Sequence, residues 1–228
     1  MLMTADLITA PRRPSRSARG AHWWIVLTSA AIAVFAPLPY MTTSLEGLGR
    51  DPDALAANYV TQPAWFQVAL YVHIFGSALA LVLSPIQLSA RVRARVPRLH
   101  RVTGRIVLLA ILLGGTSALV IAPSNDAGPI GVAGFGLLGL SWLGCAGLAL
   151  RSVLRRDFAA HRRWAIRTFA LTYAAVMLRL WLLVLITAQS AAGVADQVAF
   201  DRAYLLVPFL CWVPNLIVAE RFLRLRRR

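Results

Sequence analysis

Lysine is absent. All 24 basic residues of the 228-residue chain are arginine, which removes lysine Schiff bases, a pyridoxal-phosphate lysine and the P-loop lysine together. Cysteine is scarce: Cys145 and Cys211 stand singly inside apolar runs. They build neither a disulfide framework nor a C-x-x-C redox or zinc motif, and packing thiols are the expectation. Acidic residues number nine, with no paired carboxylates inside an apolar run, no zinc-ligand cluster, no nucleotide motif and no nucleophile elbow. Charged residues make up only 14%, too few to clothe a soluble domain of this length.

What fills the chain is apolar. Hydrophobic residues reach 58% and the mean hydropathy is +0.65. Six apolar segments, 23–41, 64–88, 105–122, 131–150, 168–189 and 204–220, are each near the length that crosses a 30 Å hydrocarbon layer at about 1.5 Å per residue. Lipid offers no partners to loose backbone groups, so the expected fold is all-α, a polytopic bundle of six transmembrane helices. Residues 1–22 read as a basic, disordered tail, 23–220 as the membrane domain and 221–228 as a second basic tail. The last span is the shortest and is interrupted by Pro208 and Pro214.

Arginine placement predicts the orientation. Arginines crowd the N-terminal tail, the connections after spans two and four, and the C-terminus. The other three connections hold only Arg50 and Arg202, beside Glu46, Asp51, Asp53, Asp126, Asp196 and Asp201. By the positive-inside rule both termini are cytoplasmic. The first span is too long for a signal-peptide core, and no small-x-small site follows within Pro37–Ser44. A bacterial cytoplasmic (inner) membrane is the expected location. Trp23, Trp24, Tyr40, Trp65, Trp164 and Tyr204 lie near span ends, where amphipathic rings favour the interface.

Two spans carry polar residues of interest. In span two, His73, Gly76, Ser77, Ala80, Ser84 and Gln87 share one helical face, with Leu70, Ile74 and Leu81 assigned to an opposite, lipid or apolar surface. Small residues permit close helix approach, so His73 should point inward, as a packing residue or as a ligand. In span five, Arg179 lies about 16 Å from the basic boundary, near midplane. A buried arginine costs at least about 2.5–3.5 kcal/mol on insertion scales and needs a partner or water. His73, Ser77, Asn215 and carbonyls freed near Pro208 or Pro214 are the expected partners. The glycines of span four suggest central packing.

The two basic connections echo each other. One contains His100-Arg101-x2-Gly104-Arg105 and the other His161-x2-Trp164-x-Ile166-Arg167, each read as a loop leading into the next span. With His73 and Gly76, Ser84-Pro85-Ile86-Gln87 and Trp212-Val213-Pro214-Asn215, these segments resemble a family of predicted bacterial membrane proteins, domain of unknown function 2306. The resemblance runs from about span two to Glu220. Relatives often have Gly-Pro before the glutamine where this chain has Ser84-Pro85. What the resemblance implies is a helical inner-membrane protein with no established activity.

Three functional readings stand side by side. Arginine forks pair with phosphate or carboxylate, so the first is binding or transport of an anionic ligand or lipid headgroup. Its candidate residues are His73, Gln87, His100, Arg101, Arg105, His161, Arg167, Arg179 and Asn215. The second is a haem-b redox protein with His100 and His161 as axial ligands, which requires spans three and five to be neighbours. The third is a structural or assembly subunit. The lipid bilayer and its anionic phospholipids are the expected partners, with a homo-oligomer or another membrane protein as open alternatives. Nucleic acid is not expected, because the arginines follow topology rather than one patch. No catalytic residue is assigned, and enzyme activity is not expected.

Overall fold

The computed structural model describes residues 16–52 and 54–225. Arg12, Arg13, Asp53 and Arg226–Arg228, used above for orientation, lie outside them. Among the described residues there is no strand, and six helical segments are long and apolar enough to cross a membrane.

The first is α1 (Arg16–Phe35), continued after Pro37 by the short α2 (Leu38–Thr42). Helix therefore begins inside the segment expected as a disordered tail. Alanine and arginine are good helix formers, no proline stands between Arg16 and the apolar run, and Gly20 alone costs only about 1 kcal/mol. Two single-turn helices, α3 (Leu45–Leu48) and α4 (Ala57–Val60), then lie over the arginine-poor end before α5 (Ala64–Leu88) forms span two. Ser44 caps α3 by accepting the Gly47 N–H at 3.1 Å.

After α6 (Ala90–Arg95), span three is α7 (Pro97–Ile121) and span four is α8 (Gly128–Leu154). Span five is broken at Tyr173 into α9 (Phe158–Thr172) and α10 (Ala174–Ala191). Span six is broken at Cys211–Trp212 into α11 (Asp196–Leu210) and α12 (Val213–Leu225). The expected stretches 105–122 and 168–189 were too short at their basic ends. Pro97 occupies the first turn of α7, where its missing N–H costs nothing. Asp157 caps α9, its Oδ1 accepting the Ala160 N–H at 2.8 Å. His100 and His161 therefore sit on helices, not in loops. Arg156, at φ +59°, turns the chain between α8 and α9, with the Asp157 N–H bonded to the Ser152 carbonyl at 2.9 Å.

The α5 stripe packs on α7 as its spacing predicts. A Cβ on Gly76 would lie 3.3 Å from the Ala110 carbonyl oxygen, and one on Gly114 would lie 3.2 Å from the Ser77 backbone nitrogen. Leu70 and Leu81 are not on a lipid face: they are 4% and 1% exposed. The lipid-facing row of α5 is Val68, Phe75, Leu79 and Val82. A helix with three different neighbours has no single opposite face.

Helix α8 touches α7, α9 and α11 but exposes Leu137, Leu140 and Leu150, so it is one member of the ring and not the central element its glycines suggest. Gly131, Gly134 and Gly139 are buried, whereas Gly136, Gly144 and Gly147 meet nothing within 4 Å. The half-helices pair by level: α9 with α12 and α10 with α11. Helix α1 rests on α5 and α10, which closes the ring. A dense layer of Ala80, Val107, Ala110, Ile111, Trp142, Ala146 and Leu171 fills the half of the bundle nearer the arginine-rich end.

Candidate functional site

The other half of the bundle is not filled. A cavity of about 290 Å³ lies there, with walls from all six spans and from the α4 segment. Along α5 it extends from Leu70 to Leu81, along α8 from Phe135 to Trp142, and along span five from Leu171 to Arg179. The expected inward residues His73 and Arg179 both line it. They share one cavity, although 106 residues part them in sequence.

His73 is anchored by helix proximity. Its Nδ1 lies 2.9 Å from the Gly114 carbonyl oxygen, so Nδ1 carries the hydrogen and donates it. A neutral ring then presents Nε2 as an acceptor. This contact exists only because Gly76 and Gly114 let the two backbones meet.

Arg179 behaves otherwise. Its Nη1 donates to the Ala175 carbonyl one turn back on its own helix, at 3.0 Å, and the remaining guanidinium N–H groups bond to no described residue. The ion pair found among the described residues is a different one, Arg167 with Glu220. The titratable groups whose charge acts on Arg179 are Tyr40, Tyr204 and Cys211, all neutral types at physiological pH. Asn215 and the Pro208 carbonyl, among its expected partners, are engaged elsewhere. Asn215 donates to the Ala170 carbonyl at 3.2 Å and the Cys211 carbonyl at 3.0 Å. Trp212 Nε1 satisfies the Pro208 carbonyl at 2.8 Å.

The cavity wall is mostly apolar, and its polar groups gather in two places. Toward the arginine-poor end it is lined by Tyr40, Asn58, Tyr59, Ser124, Asn125 and Tyr204. Tyr40 and Tyr204, expected as interfacial rings, face inward, whereas Trp23, Trp24 and Trp65 are exposed as expected. Asn58 donates to Asp126 at 2.5 Å, tying α4 to the turn between α7 and α8. Burial, with smaller contributions from the charges of Tyr40 and Asp126, pushes the Tyr59 phenol up to about 12, so it remains a hydrogen donor at neutral pH. At the other end Leu81, Trp142 and Leu171 form a floor. Trp142 Nε1 donates to Thr172 Oγ1 at 2.9 Å, and that hydroxyl donates onward to the Thr168 carbonyl at 2.8 Å.

The remaining candidates lie at the arginine-rich end, away from the cavity. Gln87 donates to Thr103 Oγ1 and fastens α5 to α7. Arg101 and Arg105 are exposed. His161 donates from Nδ1 to the Ala149 carbonyl at 2.9 Å, and His100 has a buried Nδ1 with no partner. His100 lies near enough to His161 to feel its charge, although α8 packs against both α7 and α9. Arg167 spends Nε and Nη2 on the two oxygens of Glu220, at 2.5 and 3.0 Å, and its Cζ lies 4.6 Å over the Trp164 ring. That arginine is a structural clasp. In the cavity His73 has no second histidine, and no group of three or more His, Cys, Asp or Glu side chains gathers for a metal ion among the described residues.

Sequence reading missed the inward-facing Tyr40 and Tyr204, the Trp142–Thr172 bond and the Arg167–Glu220 clasp. The second carried a signal, since a tryptophan inside a span needs a hydrogen-bond partner.

A family model described as a predicted membrane protein (DUF2306) matches residues 70–223. The match covers more than half the chain, from the outer edge of the cavity on α5 to the end of α12. No curated protein matches the chain, and no solved structure does. The chain belongs to the DUF2306 family of predicted membrane proteins.

Proposed function

We propose that the protein binds an anionic ligand in the cavity, with Arg179 as the charged contact. The observation that carries this reading is the guanidinium that lines a cavity with one internal hydrogen bond and no carboxylate. Holding an unpaired cation at that depth is costly, and an anion seated beside it would offset the cost with charge-assisted bonds. Tyr59, Tyr204 and Tyr40 supply neutral hydroxyls around the same space, suited to the rest of a charged headgroup. The arginine distribution supports an orientation with both termini in the cytoplasm of a bacterium and the cavity in the outer half of its inner membrane.

The test is native mass spectrometry of the wild type and of Arg179→Leu, purified in parallel in a non-ionic detergent. The wild type should retain an acidic adduct that the variant lacks, and Arg179→Lys should retain less than the wild type, because an ammonium cannot reproduce the guanidinium fork. Equal retention in wild type and Arg179→Leu would exclude the reading.

A further inference from the structure

The shape of the cavity narrows the ligand class, on the reading just given. From Leu70 to Leu81 the α5 wall rises about 16 Å. A dry cavity of about 150 Å³ takes one six-carbon ring, so about 290 Å³ takes roughly twelve heavy atoms, one medium alkyl chain with its head group and not two. Most of the wall is apolar: Leu70, Ile74, Leu81, Ile121, Leu138 and Leu171 line the space beside Arg179 and the tyrosine hydroxyls, and the Thr172 hydroxyl is already bonded to Trp142 and Thr168. A small inorganic anion would satisfy the arginine and leave that apolar wall with nothing against it.

We infer that the ligand is a single-chain anionic amphiphile: one alkyl chain ending in a carboxylate or a phosphate, its head on Arg179 and its chain along the apolar wall of the same cavity. The charge would fix the head, and the chain would add affinity in proportion to the apolar area it covers. The inference asks nothing of the exposed arginines at the far end, which are accounted for as topology signals.

Equilibrium binding of radiolabelled decanoate to the full chain in lipid nanodiscs tests it, with decanol, a lysophosphatidate and inorganic phosphate as competitors. Decanoate should bind saturably, decanol should compete about tenfold more weakly or worse, and phosphate should not compete. Arg179→Leu should abolish the preference for acid over alcohol. Ala78→Phe, which places a ring in the cavity, should weaken decanoate binding while the thermal unfolding of the protein stays cooperative. If Ala78→Phe does not fold, the acid-to-alcohol ratio in the wild type and Arg179→Leu still decides. Stronger competition by lysophosphatidate would identify a phosphate head, and none would identify a free carboxylate. Direct binding of labelled phosphate that needs Arg179, without decanoate binding, would overturn the amphiphile and leave the anion site standing. Equal affinity for acid and alcohol in both proteins would overturn the anion site itself.

Discussion

Arg167 and Glu220, 53 residues apart, meet as a two-pronged ion pair that joins α9 to α12, and the aromatic face of Trp164 lies against the same guanidinium. Glu220→Gln would keep the shape and remove the charge. With the Glu220 side chain 35% exposed, solvent already weakens the attraction, and the loss should be about 1 kcal/mol. For a chain of this size that is a fall of about 2–4 °C in the melting temperature, readable by circular dichroism in detergent. An unchanged melting curve would mean the pair contributes nothing.

The contact between α5 and α7 tolerates no larger side chain. Gly76→Leu should drive the helices apart, separate His73 from the Gly114 carbonyl and cost at least about 1–3 kcal/mol from overpacking. Gly136→Ala, at a position with open space around it, is the control and should leave the melting temperature unchanged or slightly raised. Equal effects of the two would refute the packing described for Gly76.

Tyr59 gives a pH signature. Its phenol ionises near 12 in the folded protein and near 10 in an unfolded chain. Below about 10 both states keep the proton, so the shift contributes nothing there. As pH rises from about 10 to about 12 the unfolded state loses its proton first, and stability falls. Melting temperatures of the wild type should therefore drop more steeply over that window than those of Tyr59→Phe. Parallel curves would rule the shift out.

Orientation is tested by reporter fusions. Fusions after Arg95 and Arg156 should report cytoplasm, and fusions at Asn125 and Asp196 should report the opposite side. A periplasmic signal at Arg156 would contradict the arrangement.

The stripe from His73 to Gln87 was legible because a 3.6-residue period projects directly onto a helix face. The identity of the surface opposite it was not. Leu70 and Leu81 are as apolar as any lipid-facing leucine, and only their neighbours make them cavity walls. The helical setting of His100 and His161 was announced by Pro97 and Asp157, both ordinary helix-start residues. Treating the basic stretches as loops overrode that signal. Arg179 was recognisable as an anomaly from hydropathy alone, but its lack of a partner was not, since Asn215 stood at a plausible depth and proved to be committed to Ala170 and Cys211. Pairing Arg167 with Glu220 needs the bundle's three-dimensional order, which no local pattern contains.

The interruptions in spans five and six fall at one height, where Asn215 of α12 reaches back to Ala170 of α9. The bundle consequently has a jointed pillar running through it. Its lower storey, α9 with α12, is riveted by Arg167 and Glu220 and carries the floor residues Leu171 and Thr172. The upper storey, α10 with α11, carries Arg179 and Tyr204 and leans on α1. The cavity wall is therefore shared between the two storeys, and the charge that faces it is carried by the half-helix that the rivet does not hold.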